Sequence, residues 1–137
     1  MNTVIPGLGF HHIALRVSDY DRSVKFYCEG LGCKIKAAWG EAPDRKIMLD
    51  LGDGGSVEIF EKPFTGKRIC AGFLGEWIHL AMRVEDPDLA YDKALAAGAV
   101  SQTPPKDVDL PADPVFPVRL AFVEGPDGEV IEFFHER

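Results

Sequence analysis

One short phrase occurs twice in the chain, and no other feature constrains its fold so strongly. It reads His12-Ile-Ala-Leu-Arg-Val-Ser-Asp19 near the start and His79-Leu-Ala-Met-Arg-Val-Glu-Asp86 past the middle. Each copy has the pattern of a histidine-led strand, followed by an aspartate that can open a helix. Side chains alternate along a strand, so His12, Ala14 and Arg16 share one face and Ile13, Leu15 and Val17 the other. His79, Ala81 and Arg83 are set against Leu80, Met82 and Val84 in the same way. By the same alternation His11 is expected on the face opposite His12, where the two cannot grip one ion.

A second phrase also recurs, Val57-Glu58-Ile59-Phe60-Glu61 and Ile131-Glu132-Phe133-Phe134-His135. The leading histidines stand 67 positions apart and the glutamates Glu58 and Glu132 stand 74 apart, so the second half is seven residues longer. The Pro-rich stretch 102–117 is where those residues are expected, as a loop. Two similar supersecondary units in one domain spanning 1–137 follow, with repeat one at about 10–61, a connector at 62–76 and repeat two at about 77–135.

Within each repeat the punctuation gives β-α-β-β-β. The first strand is expected at 10–17, then a helix starting at a weak capping box of Ser18 and Asp21 and stopped by Gly30-Leu31-Gly32. Strands follow at 33–39, 45–51 and 56–61, the last two joined by Gly52-Asp53-Gly54-Gly55. In the second half Asp86-Pro87 is an N-cap with proline at the first helical position, and Gly98 ends the helix. Strands are expected from about 99, at 118–124 and at 129–135. The connector carries Phe64, Phe73 and Leu74, which suit a site cover, a dimer contact or plain packing against the domain edge.

A chain of 137 residues can bury a real core. Its formal charge of -7 disfavours nucleic acid or an anionic membrane as partner. There is neither an apolar stretch of spanning length nor a signal-peptide pattern, which makes the cytoplasm the expected location. Three cysteines, Cys28, Cys33 and Cys70, do not suit a disulfide framework and read as reduced thiols.

Any one of the two histidines and two glutamates alone reads as structural. Together, at matching places in a repeat and with each Glu between apolar neighbours, they point to a divalent metal, because an inward carboxylate needs a positive partner. Two imidazoles and two carboxylates suit zinc, nickel, cobalt, iron or manganese. Ala14 and Ala81, on the histidine faces, would leave room beside the ion.

At these residues the chain resembles the vicinal oxygen chelate superfamily, and within it the glyoxalase I branch. The likeness runs from Phe10 to Glu136 and includes His-Ile-Ala-Leu-Arg-Val, Val-Lys-Phe-Tyr, Phe-Val-Glu-Gly-Pro-Asp-Gly and Val-Ile-Glu-Phe. It implies an α+β fold of two βαβββ repeats, their curved mixed sheets forming a cup around a metal with helices outside, and a homodimer with both chains at each site. It implies His12, Glu58, His79 and Glu132 as ligands of one divalent metal per site, with nickel, cobalt or zinc ahead of manganese or iron. The activity implied is a metal-dependent lyase or isomerase acting on a thiohemiacetal or other α-hydroxycarbonyl compound through an enediolate, with Glu132 the main base and Glu58 able to serve on the other face. Dioxygenases of the superfamily keep two His and one Glu, the acyl-CoA epimerases usually carry Gln where this chain has Glu58, and bleomycin-binding members have lost the ligands. An epimerase, a non-haem iron dioxygenase and a protein sequestering a small molecule are therefore the alternatives. Arg16 matches an arginine that contacts glutathione in glyoxalase I; it and Arg83 suit either an anionic substrate or a neighbouring carboxylate. Lys62 stands where the glutathione-using enzymes carry asparagine, a departure that speaks against glutathione; with Lys67 and Arg68 it suits a different anionic substrate or a solvated loop.

Overall fold

A computed structural model describes residues 4, 10–61, 77 and 79–137. They form two compact units, one on the first four strands and one on the last four. The first unit runs β1 (His12–Arg16), α1 (Tyr20–Lys25), a π-helical turn (Phe26–Gly30), β2 (Lys34–Trp39), β3 (Lys46–Asp50) and β4 (Ser56–Phe60). The second runs β5 (Leu80–Arg83), α2 (Pro87–Ala96), β6 (Val100–Leu110), β7 (Phe116–Glu124) and β8 (Val130–Glu136). Each is thus a βαβββ module, and the fold is α+β.

The two sheets have one topology, β1-β4-β3-β2 and β5-β8-β7-β6. The first and last strands of each module, β1 with β4 and β5 with β8, pair in parallel, and the remaining pairs are antiparallel. A parallel pair needs a long crossover between its strands, here supplied by a helix and two further strands. Each core is one face of its sheet. In the first unit Ile47, Leu49, Val57 and Ile59 are buried on that face, and in the second Ala121, Val123, Ile131 and Phe133. α1 packs against β4, and α2 against β6, β7 and β8. Alternation then leaves Glu58 and Glu132 on the opposite face of each sheet.

The helices start as aspartate caps at equivalent places. Asp19 accepts from the backbone N–H of Arg22 at 3.0 Å and Asp86 from that of Leu89 at 3.1 Å, with Pro87 opening the second helix. The first cap is therefore Asp19 and not Ser18, whose hydroxyl instead accepts from the Arg22 guanidinium at 3.2 Å. A capping box needs a carboxylate three residues beyond the cap to reach back, and Asp21 is engaged elsewhere.

That engagement is itself repeated. Arg45, just ahead of β3, binds Asp21 at 3.0 Å and Glu61 at 2.7 Å and lies 4.2 Å over the Tyr20 ring. Arg119 of β7 binds Asp88 at 2.6 Å and Asp107 at 2.9 Å. Asp21 and Asp88 stand 67 apart and Arg45 and Arg119 stand 74 apart, the offsets of the histidines and glutamates. In both units an arginine, just ahead of β3 in one and within β7 in the other, clamps the first turn of the helix. The clamp holds the Glu61 carboxyl far below its ordinary range, at about 2.

The Pro-rich stretch is the main departure from expectation. Much of residues 102–117 is strand, since β6 runs Val100–Leu110 and β7 begins at Phe116. Proline removes a ladder donor and is tolerated on edge strands and at bulges. β6 is an edge strand of its sheet, and its register against β7 shifts between Ser101 and Thr103 and again between Thr103 and Lys106, the interval that holds Pro104 and Pro105.

No helix among the described residues is long and apolar enough to cross a membrane. Cys28 and Cys33 form no disulfide among the described residues, and burial pushes the Cys33 thiol up to about 11, so it stays protonated and inert at neutral pH.

Candidate metal centre

Each unit brings its repeated histidine and glutamate side by side. In the first, Ala14 is opposite Glu58 in the parallel β1/β4 ladder, and His12, two residues earlier on the same face, brings Nε2 to 3.4 Å from a Glu58 carboxylate oxygen. In the second, Ala81 is opposite Glu132 in β5/β8, and His79, one residue ahead of β5, brings Nε2 to 3.1 Å from Glu132. Equal register in two sheets produces equal pairs. Each alanine is the in-register neighbour of its glutamate, and the histidine stands two residues before it on the same strand face.

The two glutamates differ in environment. Glu58 is half-buried, whereas Glu132 is 6% exposed. Loss of solvent pushes the Glu132 carboxyl above its ordinary value, a shift that His79 partly offsets. A buried carboxylate facing an imidazole nitrogen is a hard oxygen donor beside a nitrogen donor, the chemistry of a divalent-metal ligand pair. Both residues of each pair fit such an ion. Among the described residues no group of three or more His, Cys, Asp or Glu side chains is arranged to hold a metal, so each unit by itself supplies two donors.

Around the first pair the sheet face is aromatic and cationic. Arg16 is opposite Phe60 in register and its guanidinium lies 5.7 Å from the ring centroid. Lys46, opposite Phe60 on the other side, has its ammonium 5.9 Å from the same ring and 2.9 Å from Asp44. Arg83 is opposite Phe134 in the second unit, the equivalent register. Phe122 is opposite Glu132 and packs edge-on against the His79 ring, with centroids 5.5 Å apart. Lys62 lies outside the described residues, as do Phe64, Lys67, Arg68, Cys70, Phe73 and Leu74.

Two features were missed by sequence reasoning. Ser56, opposite His12 in register, is fully buried, and its hydroxyl has no hydrogen-bond partner among the described residues. The second is a correction. His11 does not point away from His12: the two Nδ1 atoms are 2.7 Å apart and the rings meet edge-on. Strict alternation applies only inside a strand, and β1 begins at His12, so His11 is free of it.

Fold and site together define a two-module α+β protein with one His–Glu pair per module. The family model described as the Glyoxalase/Bleomycin resistance protein/Dioxygenase superfamily matches residues 9–133, and the chain belongs to that superfamily. Among its relatives, a lactoylglutathione lyase of Haemophilus influenzae is 33% identical over 131 residues, covering 92% of this chain and 91% of that one. The uncharacterised protein YaeR of Escherichia coli is 30% identical over 128 residues, covering 92% and 95%. Among solved structures, TnmS3, an antibiotic binding protein from Streptomyces sp. CB03234, superposes with a TM-score of 0.72 over 97% of this chain and 99% of its own, at 21% identity, a likeness of fold. Relatives and structural neighbours thus include both an enzyme and a binding protein.

Proposed function

We propose that His12, Glu58, His79 and Glu132 together bind one divalent metal, with nickel, cobalt or zinc favoured over manganese or iron. On this reading the chain is a cytoplasmic, metal-dependent lyase or isomerase of glyoxalase I type, acting on a thiohemiacetal or other α-hydroxycarbonyl compound. The observation that carries the reading is the repeated register: one His–Glu pair in each module, held by the same alanine-glutamate pairing. The lactoylglutathione lyase name of a relative supports the reaction class.

The bound metal would supply Lewis acidity to two neighbouring oxygens of the substrate, which acidifies the adjoining C–H bond. Displaced from the ion by the arriving substrate, Glu132 would take the carbon-bound proton and return it to the neighbouring carbon; while bound to the ion it would be a poorer base. Burial suits it to that task, since a carboxyl raised above its ordinary value is a stronger base than a solvated one. Glu58 serves the opposite face. Ala14 and Ala81 leave space for the reacting carbons. Arg16 beside Phe60 holds the anionic part of the substrate, with Arg83 as its counterpart and Lys62 as a further contact; Arg16 favours a glutathione conjugate, whereas Lys62, in place of the asparagine of the glutathione-using enzymes, favours a different anion. The reading includes a homodimer in which each site draws one pair from each subunit.

The test is thioester formation from methylglyoxal and glutathione by metal-loaded protein, run beside Glu132→Gln. Turnover that disappears on chelation and in the variant supports the reading. Bound metal with no turnover of this or other α-hydroxycarbonyl substrates sinks the lyase assignment. Oxygen uptake with an aromatic diol would replace it with a dioxygenase, and tight ligand binding by metal-free protein with a sequestering role.

A further inference from the structure

We infer that His11 is a positioning residue for His12, fixing which nitrogen of that ring is free to bind a metal; this rests on the four-ligand site proposed above. His12 turns Nε2 toward Glu58, at 3.4 Å, which leaves Nδ1 as its second ring nitrogen. That atom lies 2.7 Å from His11 Nδ1, a hydrogen-bond distance that requires one proton between the two. Two lone pairs or two N–H groups at this separation would repel. If Nε2 is the ligating atom its lone pair must be free, so the neutral ring of His12 carries its proton on Nδ1. Nδ1–H then donates to His11 Nδ1, and His11 is held as the tautomer with its proton on Nε2.

The neighbour is anchored for this task. The backbone N–H of Ser56 donates to the His11 carbonyl at 2.9 Å, tying His11 to β4 although it precedes β1. Its ring then stands nearly perpendicular to that of His12, at 82° with centroids 5.0 Å apart, which aims one Nδ1 at the other. In the second repeat the residue 67 positions on is Ile78, which has no hydrogen-bonding side chain. His79 is instead flanked edge-on by Phe122. The support is therefore specific to the first half, and the two histidines of the site are held by different means.

An outer partner of a metal-bound histidine fixes its tautomer and orientation, and removing one typically weakens metal binding by about 10- to 100-fold. The experiment measures zinc affinity by chelator competition in the wild type, His11→Phe and His11→Asn, each checked for an unchanged fold by circular dichroism. It is paired with 15N spectra of the histidine rings in the zinc-loaded protein. Phe keeps a ring without an acceptor, while the Asn side-chain oxygen reaches the place of Nδ1. The expected result is zinc binding at least about tenfold weaker in His11→Phe and near the wild-type value in His11→Asn. The spectra should show His12 protonated at Nδ1 and His11 at Nε2. Unchanged affinity in His11→Phe, a metal-bound nitrogen on His11, or coordination of His12 through Nδ1 would overturn the inference while leaving a metal site standing. Failure of the wild type to bind zinc, nickel or cobalt at all would instead overturn the metal site, and this role with it.

Discussion

Glu132→Gln should make the metal-free protein no less stable while removing most of its response to metal. The carboxylate is nearly fully buried, and loss of solvent raises its proton affinity, so the ionised group opposes folding when no cation meets it. A glutamine of the same shape keeps the packing and an acceptor for His79 without that charge. In the wild type a metal at a hundred times its dissociation constant stabilises the folded state by about 2.7 kcal/mol. With an unfolding entropy near 2.1 cal/mol/K per residue, 137 residues give about 3.5 °C per kcal/mol, hence a rise in Tm of roughly 9 °C. If the variant binds about a hundredfold more weakly, the same metal concentration leaves about 0.4 kcal/mol, a shift near 1 °C. Differential scanning calorimetry at pH 7, with and without metal, reads both quantities. A variant whose metal-free Tm drops by several degrees would show that the ionised Glu132 is stabilising in the absence of metal. One that keeps the full metal shift would show that Glu132 is not a ligand.

Three further outcomes follow from the same structure. Because the Glu61 carboxyl is held near 2 in the fold against an ordinary 4.5, its contribution is complete above 4.5 and fades as pH falls toward 2; Glu61→Gln should flatten the rise of urea midpoint with pH across that window. Leu49→Ala, at a fully buried position of β3, should cost about 3 kcal/mol in equilibrium urea unfolding, and a loss below about 1 kcal/mol would deny that β3 is part of the core. If each site draws one pair from each of two subunits, mixing inactive His12→Ala and His79→Ala proteins and allowing exchange should restore about a quarter of the wild-type metal sites by equilibrium dialysis, since half the dimers are mixed and each mixed dimer has one intact site; no recovery after proven exchange would place both pairs of a site in one chain.

Much of this architecture was legible because the chain repeats itself. The histidines and glutamates could be located by offset alone, and the offset also carried the strand faces, since a period of two leaves one choice of register when one face is buried. What escaped was whatever depends on a partner far along the chain or on the edge of an element. Arg45 and Arg119 carry no local sequence signal for a role, and only the fold brings each to the second residue of a helix, 24 and 31 positions away. Pro104 and Pro105 read as loop because proline argues against a paired strand, and only the position of β6 at the sheet edge admits them. His11 was assigned a face by an alternation that starts one residue later. Lys62, expected at the substrate, lies outside the described residues.

The central claim is that four residues placed twice over by one repeat make one metal site. The measurement that bears on it most directly is the metal content of the chain after loading and exhaustive dialysis, for the wild type, His12→Ala and His79→Ala. The account predicts one ion per chain in the wild type and a comparable loss in both variants, because each removes one of four donors to the same ion. An ion retained in full by either variant, or no ion in the wild type with nickel, cobalt, zinc, manganese or iron, would contradict it.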